Sequence, residues 1–411
     1  MKKLFALMLI LALISGVSAP AEAGEDWELV LLTAKTAEIV KYYGSASELE
    51  IPSRVYGYTI TSIGFSAFEY LSGLKSVTIP EGVTAIGDGA FYGCPDLTNV
   101  TFPESITDIG SYAFGHCAAL AGVTLPSGLK RLGEGAFLGC AALADVTFPE
   151  GLSEIGPYAF RGCAAFTGVT LPASIAEIGA NPFANCPALK EISVPPSCAL
   201  FETADGALYS KADARLLSVP GTYQGTFTVP DGVKIIGEAA FISCAGVTGA
   251  VLPEGLTEIG DDAFYDCAAL TDAAIPDSVT KIGFGAFYGC AGLTGVTVPG
   301  GVEYIDQMAF SGCAGLTDVT IREGVTRIGF GAFSDCACLT GVVIPGSVTN
   351  IDYGAFWNCV SLKSAAVPAG VTEIDEAAFD QCAEDFVMTV EKGSYAEQYC
   401  RDNGLNCRYP D

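Results

Sequence analysis

The chain has very little of the residue type that most often performs acid–base or metal chemistry. Among 411 residues there is a single histidine, His116, which lies in the short sequence GHC. A catalytic histidine needs a positioned nucleophile or carboxylate, and the equivalent stretches of the sequence offer none. The sequence also contains no glycine-rich phosphate loop and no histidine–cysteine group with metal-ligand spacing. We therefore predict no enzymatic activity, no cofactor and no metal, with His116 as an exposed turn residue.

Positive charge is also scarce. The chain carries 20 lysine and arginine residues against 47 aspartate and glutamate residues, a net charge of −27. Without Lys2, Lys3 and Glu22, which precede the cleavage site described below, these numbers become 18 and 46, a net charge of −28. Such a chain is repelled by nucleic acid phosphates and by anionic membrane surfaces. Nucleic acid is therefore excluded as a partner, and no membrane insertion is expected.

Long apolar runs are absent except at the N-terminus. Lys2 and Lys3 precede LFALMLILALISGV, and small residues at Ala21 and Ala23 follow. This order is typical of a secretory signal peptide. We assign it to residues 1–23, with cleavage after Ala23 or, alternatively, after Ala19. The run is too short for a membrane span, so we expect an exported protein that is secreted or held at the cell surface.

Phenylalanine recurs with a period of 23 residues, and GDGAFYGC at residues 87–94 returns as GFGAFYGC at residues 283–290. The recurring phenylalanines fall into two series: 68, 91, 114, 137, 160 and 183, then 241, 264, 287, 310, 333, 356 and 379. A fixed period of this length is the signature of a repeat solenoid.

Each unit reads as two strands and a turn. In LTNVTF, apolar Leu97, Val100 and Phe102 are expected to point inward and Thr101 outward. Proline ends this strand in nearly every unit, with Arg322 as the exception. A second short strand such as VTAIG ends at a column filled by glycine ten times and by aspartate three times, which we interpret as a left-handed turn. We interpret the following AFxxC as a single helical turn.

The pattern IGxxAFxxCxxLxxVxIPxxV resembles the BspA-like leucine-rich repeat proteins, a family of bacterial and protist secreted or surface proteins. The resemblance covers nearly the whole mature chain. It implies a right-handed leucine-rich repeat superhelix of 23-residue units, mainly parallel β-strands with short helical turns. It also implies adhesion to host proteins or to other cells. Stacking is required physically as well, because one unit cannot bury its own apolar face.

The repeat series is interrupted once, between Phe183 and Phe241. We assign residues 24–60 to an N-terminal β-hairpin cap, 61–196 to a first repeat array, 197–229 to a hairpin insertion and 230–385 to a second array. Residues 386–411 form a C-terminal cap with a helix, in which Ser394 and Glu397 make a capping box and Gly404 ends the helix. We expect the two arrays to form one continuous solenoid.

Twelve of the sixteen cysteines stand three residues after the repeat phenylalanine. Disulfides and metal binding are the alternatives in an exported protein. Equivalent residues on stacked strands have Cβ atoms about 4.8 Å apart, whereas disulfides need roughly 3.5–4.5 Å. Leu71 also occupies this column. We therefore predict a ladder of buried free thiols that pack as small apolar groups. Cys400 and Cys407 are the candidate disulfide, and Cys198 and Cys338 stay unassigned.

Two surfaces are candidates for binding a partner. In the second array, aromatic residues stand three before and one after the repeat phenylalanine. They are Phe284 with Tyr288, Phe330, Tyr353 with Trp357, and Tyr265. In a helical turn these two positions share a face, which predicts side-by-side pairs in an aromatic ridge, either for binding or as a shield over the turns. The other candidate is the outward column of the main strand, a face of small residues: Thr78, Thr101, Thr124, Thr147, Thr170 and Ser193, then Val251, Ala274, Thr297, Thr320, Val343 and Ala366.

These observations predict a secreted, non-enzymatic interaction or adhesion protein that binds a host or cell-surface protein or glycan, as a monomer. Two alternatives stay open. One is a glycan-acting enzyme with its site near the hairpin insertion. The other is a structural envelope component without a dedicated ligand.

Overall fold

The computed structural model describes residues 18–19 and 26–410. Apart from residues 18–19, the predicted signal peptide lies outside these residues. The chain forms two compact units, which divide between Thr203 and Ala204. This boundary falls inside the segment 197–229 that the sequence assigns to the insertion. Continuity of the two arrays as one solenoid stays a prediction.

The N-terminal unit begins with an antiparallel hairpin. Trp27–Leu31 pairs with Thr36–Tyr42, and Thr36–Tyr42 pairs in parallel with Tyr58–Ile63 at the first repeat. The Trp27 ring packs 4.7 Å from that of Tyr42 and 6.2 Å from that of Phe68. These aromatic contacts cover the apolar end of the array. Two further short strands join the same sheet, Ser18–Ala19 and Arg54–Val55.

The repeats of this unit contribute two columns of parallel strands. We call the column before the proline the main strands and the column after it the short strands. The main strands are Glu48–Glu50, Ser76–Thr78, Asn99–Thr101, Gly122–Thr124, Asp145–Thr147, Gly168–Thr170 and Glu191–Ser193. The short strands are Ala85–Ile86, Asp108–Ile109, Arg131–Leu132, Glu154–Ile155 and Glu177–Ile178.

The C-terminal unit has the same two columns. Its main strands are Gly225–Thr228, Val247–Val251, Asp272–Ala273, Gly295–Val298, Asp318–Ile321, Gly341–Val343, Ser364–Val367 and Val387–Val390. Its short strands are Ile235–Ile236, Glu258–Ile259, Lys281–Ile282, Tyr304–Ile305, Arg327–Ile328, Asn350–Ile351 and Glu373–Ile374. Pairing is parallel, with Asp318 opposite Gly295, for example. The predicted repeat solenoid of 23-residue units is confirmed.

The repeat phenylalanines form the core of both units. From Phe68 to Phe183, and again from Phe241 to Phe379, each ring stacks nearly parallel on the next, with centroids 4.5–5.9 Å apart. All thirteen side chains are buried. Burial of an aromatic ring in every repeat supplies the apolar area that the short strands alone lack.

The predicted left-handed turn after the short strand is wrong. Gly87 and Gly133 do not have positive φ angles. A Cβ atom on Gly133 would instead lie 2.5 Å from the backbone nitrogen of Ser111 and 2.6 Å from the carbonyl carbon of Gly110. Glycine is therefore required at positions such as Gly133 because the backbone of the preceding repeat approaches too closely for a side chain, whereas aspartate occupies this column at Asp306, Asp352 and Asp375.

The predicted helical turn at AFxxC is also wrong. In eleven of the thirteen repeats, left-handed residues lie both two positions before and two after the phenylalanine, as at Tyr112 (φ 55°) and His116 (φ 59°) around Phe114. Such residues interrupt a helix. The segment instead hydrogen-bonds to the next repeat, with Phe91 N donating to Ala113 O at 2.7 Å. It therefore forms a third hydrogen-bonded ladder between repeats.

The insertion lies at the start of the C-terminal unit's array. Phe201–Ala204 leads into it across the boundary between the units. Ala207–Ser210 and Arg215–Ser218 form an antiparallel hairpin, and Arg215–Ser218 pairs in parallel with Ile235–Ile236. The hairpin thereby covers the first repeat of the second array.

The C-terminal end is covered by the only helix among the described residues, Tyr395–Asp402. Ser394 Oγ accepts a hydrogen bond from Glu397 N at 3.2 Å, and Glu397 Oε2 accepts one from Gly393 N at 2.7 Å. Gly404, with φ +66°, follows the end of the helix. The last strand, Asn406–Arg408, pairs in parallel with the final main strand.

Candidate interaction surfaces

The aromatic residues of the second array lie on the turn edge of the C-terminal unit. Phe284, Phe330 and Tyr353 are 42%, 40% and 48% exposed. Phe330 stacks on Tyr353 with centroids 5.9 Å apart and planes inclined by 9°. The remaining members of the predicted ridge are half-buried: Tyr265, Tyr288 and Trp357. Apolar rings therefore do face solvent at this edge, in two neighbouring repeats.

The aromatic pairs form between repeats rather than within one. Tyr265 stacks on Tyr288 at 4.8 Å, as Phe330 does on Tyr353, whereas no ring contact joins Phe284 to Tyr288 in the described part of the chain. The predicted side-by-side pairs are therefore wrong. The cause is the left-handed Gly285, with φ +55°, which lies between the two positions and prevents the helical spacing on which that prediction depended.

Sequence reasoning missed an aromatic group in the N-terminal unit. The rings of Tyr70 and Tyr92 meet edge to face at 5.6 Å, and those of Tyr92 and His116 at 5.3 Å. His116 is exposed, as predicted. The sequence feature that could have revealed this group is that Tyr70 and His116 stand in a column where other repeats have glycine. A Cβ atom on Gly139 would lie 2.7 Å from His116 Nδ1, so glycine in the next repeat makes room for the histidine.

The outward threonine column is exposed in the N-terminal unit, from Thr78 to Thr170. The sheet beneath it is interrupted, because the main strands pair only in small groups. Gly122–Thr124 pairs with Asp145–Thr147, and Gly168–Thr170 pairs with Glu191–Ser193. Among the described residues, no strand pairing joins these two groups to each other.

Clefts open at three of the interruptions. The first cleft, of about 530 Å³, is lined by Asn99, Val100, Thr101, Phe102, Glu104, Gly122, Val123, Thr124, Leu125, Pro126, Asp145 and Thr147. The second, of about 650 Å³, is lined by Val146, Thr147, Phe148, Glu150, Gly168, Val169, Thr170, Leu171, Pro172, Glu191 and Ser193. The third, of about 470 Å³, is lined by Thr271, Asp272, Ala273, Ala274, Ile275, Thr294, Gly295, Val296, Thr297, Asp318 and Arg322. Sequence reasoning predicted the threonine face but not these clefts.

The cysteine ladder consists of free thiols, which are buried except for the partly buried Cys382. This confirms the sequence prediction and adds a role for the thiol. Cys94 Sγ donates a hydrogen bond to Phe68 O at 3.2 Å, and Cys267 Sγ donates one to Phe241 O at 3.0 Å. The same bond to a residue 26 positions earlier recurs in nine further repeats. Burial raises the pKa of the Cys313 thiol to about 12, so this thiol stays protonated and unreactive at neutral pH.

Cys400 and Cys407 are free thiols in the structure, in contrast to the disulfide predicted from the sequence. The buried Cys400 Sγ lies 3.7 Å from Met388 Sδ, while Cys407 is exposed. Burial, with a smaller contribution from the neighbouring Cys407, raises the pKa of Cys400 to about 12. The two thiols are near each other, and their pairing in an oxidising compartment stays a prediction. Cys198 is buried and Cys338 is exposed, both as free thiols.

Neither a metal-ligand cluster nor a membrane-spanning helix occurs among the described residues. No group of three or more histidine, cysteine or acidic residues there is arranged to hold a metal ion. Nor does any helix in the same part of the chain have the length and apolar character needed to cross a membrane.

Comparisons with solved structures give the same fold. A leucine-rich cell surface protein from Faecalibacterium prausnitzii is 28% identical, with a TM-score of 0.59, and the match covers 92% of this chain and 97% of that one. A leucine-rich repeat protein from Eubacterium ventriosum is 24% identical, with a TM-score of 0.65 and coverages of 90% and 95%. The pneumococcal vaccine antigen PcpA is 18% identical, with a TM-score of 0.64 and coverages of 97% and 99%.

Among curated proteins, no sequence matches this chain. The family model for the BspA type leucine-rich repeat region matches residues 41–165, 107–211, 221–336 and 257–385. These segments cover most of both units and include the stacked phenylalanines and the thiol ladder. The chain therefore belongs to the BspA-type leucine-rich repeat family.

Proposed function

We propose that the protein is exported and acts, as a monomer and without catalysis, as an interaction or adhesion protein for an extracellular protein or glycan. The observation that carries the proposal is the exposed aromatic stack of Phe330 and Tyr353 on a rigid repeat edge. Equivalent positions in other repeats hold polar residues such as Asp88 and Glu134. Exposed aromatic rings are the groups that most often dominate binding at protein interfaces.

Rigidity supports this proposal. Phe330 and Tyr353 stand three residues before Phe333 and Phe356, which are fully buried and stack on each other at 5.4 Å. The surface rings are therefore held on a packed core, and binding needs little ordering of the protein. The similarity to a cell surface protein from Faecalibacterium prausnitzii supports the proposed location.

The test is a screen of residues 24–411 against a glycan array and a panel of extracellular matrix proteins. We expect saturable binding to at least one member. Release of a product from a bound glycan would favour the enzyme alternative, and a complete absence of saturable binding would favour a structural envelope role. Export is tested by N-terminal sequencing of the protein recovered outside the cytoplasm, which should begin at residue 24 or, if cleavage follows Ala19, at residue 20.

A further inference from the structure

The interruptions of the main-strand sheet follow a sequence rule. The first position of the strand alternates between glycine and an acidic or amide residue: Asn99, Gly122, Asp145, Gly168 and Glu191, then Asp272, Gly295, Asp318 and Gly341. Two consecutive main strands pair where the strand of the earlier repeat begins with glycine, as Gly122 pairs with Asp145. Two consecutive main strands are unpaired where the strand of the later repeat begins with glycine, as between Asp145 and Gly168. The interruptions thus recur every second repeat, and clefts open at three of them.

The clefts of the N-terminal unit carry negative charge without a basic partner. The first cleft has the carboxylates of Glu104 and Asp145, and the second has those of Glu150 and Glu191. No lysine or arginine is among the residues that line either of them. The first carboxylate is oriented by its surroundings, since Glu104 Oε2 accepts a hydrogen bond from Ser127 N at 2.9 Å. Threonine hydroxyls and the unpaired strand edges supply further polar groups.

The third cleft differs from the other two in having an arginine among its lining residues. Arg322 lines it, and the Arg322 guanidinium forms a solvent-exposed ion pair with Asp277, which is not itself a lining residue. Asp277 directly follows a strand-ending proline, as do Glu104 and Glu150 in the other two clefts. Arg322 itself stands where the repeats beside the other clefts have Pro149 and Pro195. The chain therefore supplies its own guanidinium to the third cleft and leaves the matching carboxylates of the first two without one.

We propose that the first and second clefts bind arginine or lysine side chains of a basic extracellular partner. The net charge of −27 attracts such a partner, and carboxylates paired with hydroxyls and carbonyls suit the donors of a guanidinium. The two clefts are two repeats apart, about 10 Å at strand spacing. A polyproline II segment with a basic residue at every third position has nearly the same spacing, about 9 Å. This surface is separate from the aromatic edge of the proposed function.

The experiment uses residues 24–411 and a fluorescein-labelled peptide, Arg-Pro-Pro-Arg-Pro-Pro-Arg, in fluorescence anisotropy at low salt. The matched peptide has citrulline at all three arginine positions, which keeps the shape and removes the charge. We expect binding of the arginine peptide at least tenfold tighter than that of the citrulline peptide. Equal binding of the two peptides would overturn the proposal.

Variants locate the site. The pair Glu150→Gln and Glu191→Gln should weaken arginine-peptide binding at least fivefold. The control pair, Glu81→Gln and Glu254→Gln, changes net charge equally. Both control residues also follow a strand-ending proline, but they lie where the main strands are paired. They should change binding less than twofold, and an equal loss in both pairs would reduce the effect to general charge attraction and overturn the proposal.

The third cleft provides the converse test. Arg322→Ala should raise the amount of arginine peptide bound at saturation, because it frees the Asp277 carboxylate with which Arg322 is paired. An unchanged amount of bound arginine peptide would contradict the assignment. Displacement of the peptide by a neutral oligosaccharide would also contradict it and would assign the clefts to glycans. Thermal unfolding confirms that each variant is folded. If no ligand binds the aromatic edge while the arginine peptide still binds the clefts, the proposed function alone is refuted.

Discussion

Replacement of one stacked phenylalanine tests how the repeats are held together. Phe287 is fully buried, between Phe264 at 5.0 Å and Phe310 at 5.2 Å. Its replacement by alanine should lower the free energy of unfolding by roughly 3–5 kcal/mol through lost burial and the cavity left behind. Within that range, the two lost stacking contacts account for about 0.5–1.5 kcal/mol each, which places the expected loss at its upper end. We therefore expect a loss near 5 kcal/mol.

The matched control is Phe284→Ala in the same repeat. Phe284 is 42% exposed, so its loss should cost less than about 1 kcal/mol. Urea unfolding is followed by fluorescence of Trp357, which lies in the same unit, in a Trp27→Phe background. Alkylation of Cys290 and Cys313, whose thiols flank the cavity, reports local opening independently. Similar losses for both variants, or a loss near zero for Phe287→Ala, would refute the ring-stacking account of the core.

Three further predictions concern the thiols. In the folded protein the ladder cysteines should resist iodoacetamide and react only after denaturation, whereas Cys338 should react at once. Detection by mass spectrometry of disulfides that link consecutive repeats would contradict this prediction. Burial raises the pKa of Cys140 and Cys313 to about 12, so folding retains thiol protons that the unfolded chain loses above pH 9. This contribution to the free energy of unfolding is present below pH 9 and is lost as the pH rises towards 12, by about 1.4 kcal/mol per pH unit for each thiol. Urea titrations should therefore give a lower unfolding midpoint at pH 11 than at pH 8, and an unchanged midpoint would refute the prediction. A peptide map of protein oxidised in air should contain a Cys400–Cys407 disulfide, and its absence would reject that pairing.

The repeat period predicts the fold because it constrains every unit in the same way. A phenylalanine such as Phe91, returning every 23 residues, requires equivalent positions to stack, and the parallel register follows directly. The thiol ladder was predictable for the same reason, since stacked cysteines cannot approach each other closely enough to form disulfide bonds. Leu71 in that column had already indicated that an apolar environment was required.

The turn around the phenylalanine could not be predicted from propensity. Ala90 and Phe91 read locally as one helical turn, but Gly89 and Gly93 have left-handed φ angles of 61° and 68°. Hydrogen bonds to the next repeat replace those of a helix. Tertiary pairing thus overrides the local preference, and the predicted side-by-side pairing of aromatic residues within one repeat was wrong for this reason.

The clefts depend on a relation between repeats that a single unit does not show. Gly168 is unremarkable within its own repeat, and so is Asp145. The sheet is interrupted where the acidic residue comes in the earlier repeat and glycine in the next, as with Asp145 and Gly168. The strands pair where the order is reversed, as with Gly122 and Asp145. Such an alternation of period 46 is detectable in the sequence once the structure shows which order separates the strands.

The most direct test of the interaction function compares ligand binding by the wild type and a triple alanine variant at Phe284, Tyr353 and Trp357. The control is Phe65→Ala, which removes an aromatic ring from the same column in the N-terminal unit and is 75% exposed. Affinity for a ligand identified by the screen should fall at least tenfold in the triple variant and less than twofold in the control, while the melting temperatures drop only modestly. Unchanged affinity in the triple variant, with a large loss of thermal stability, would show that these rings only stabilise the fold.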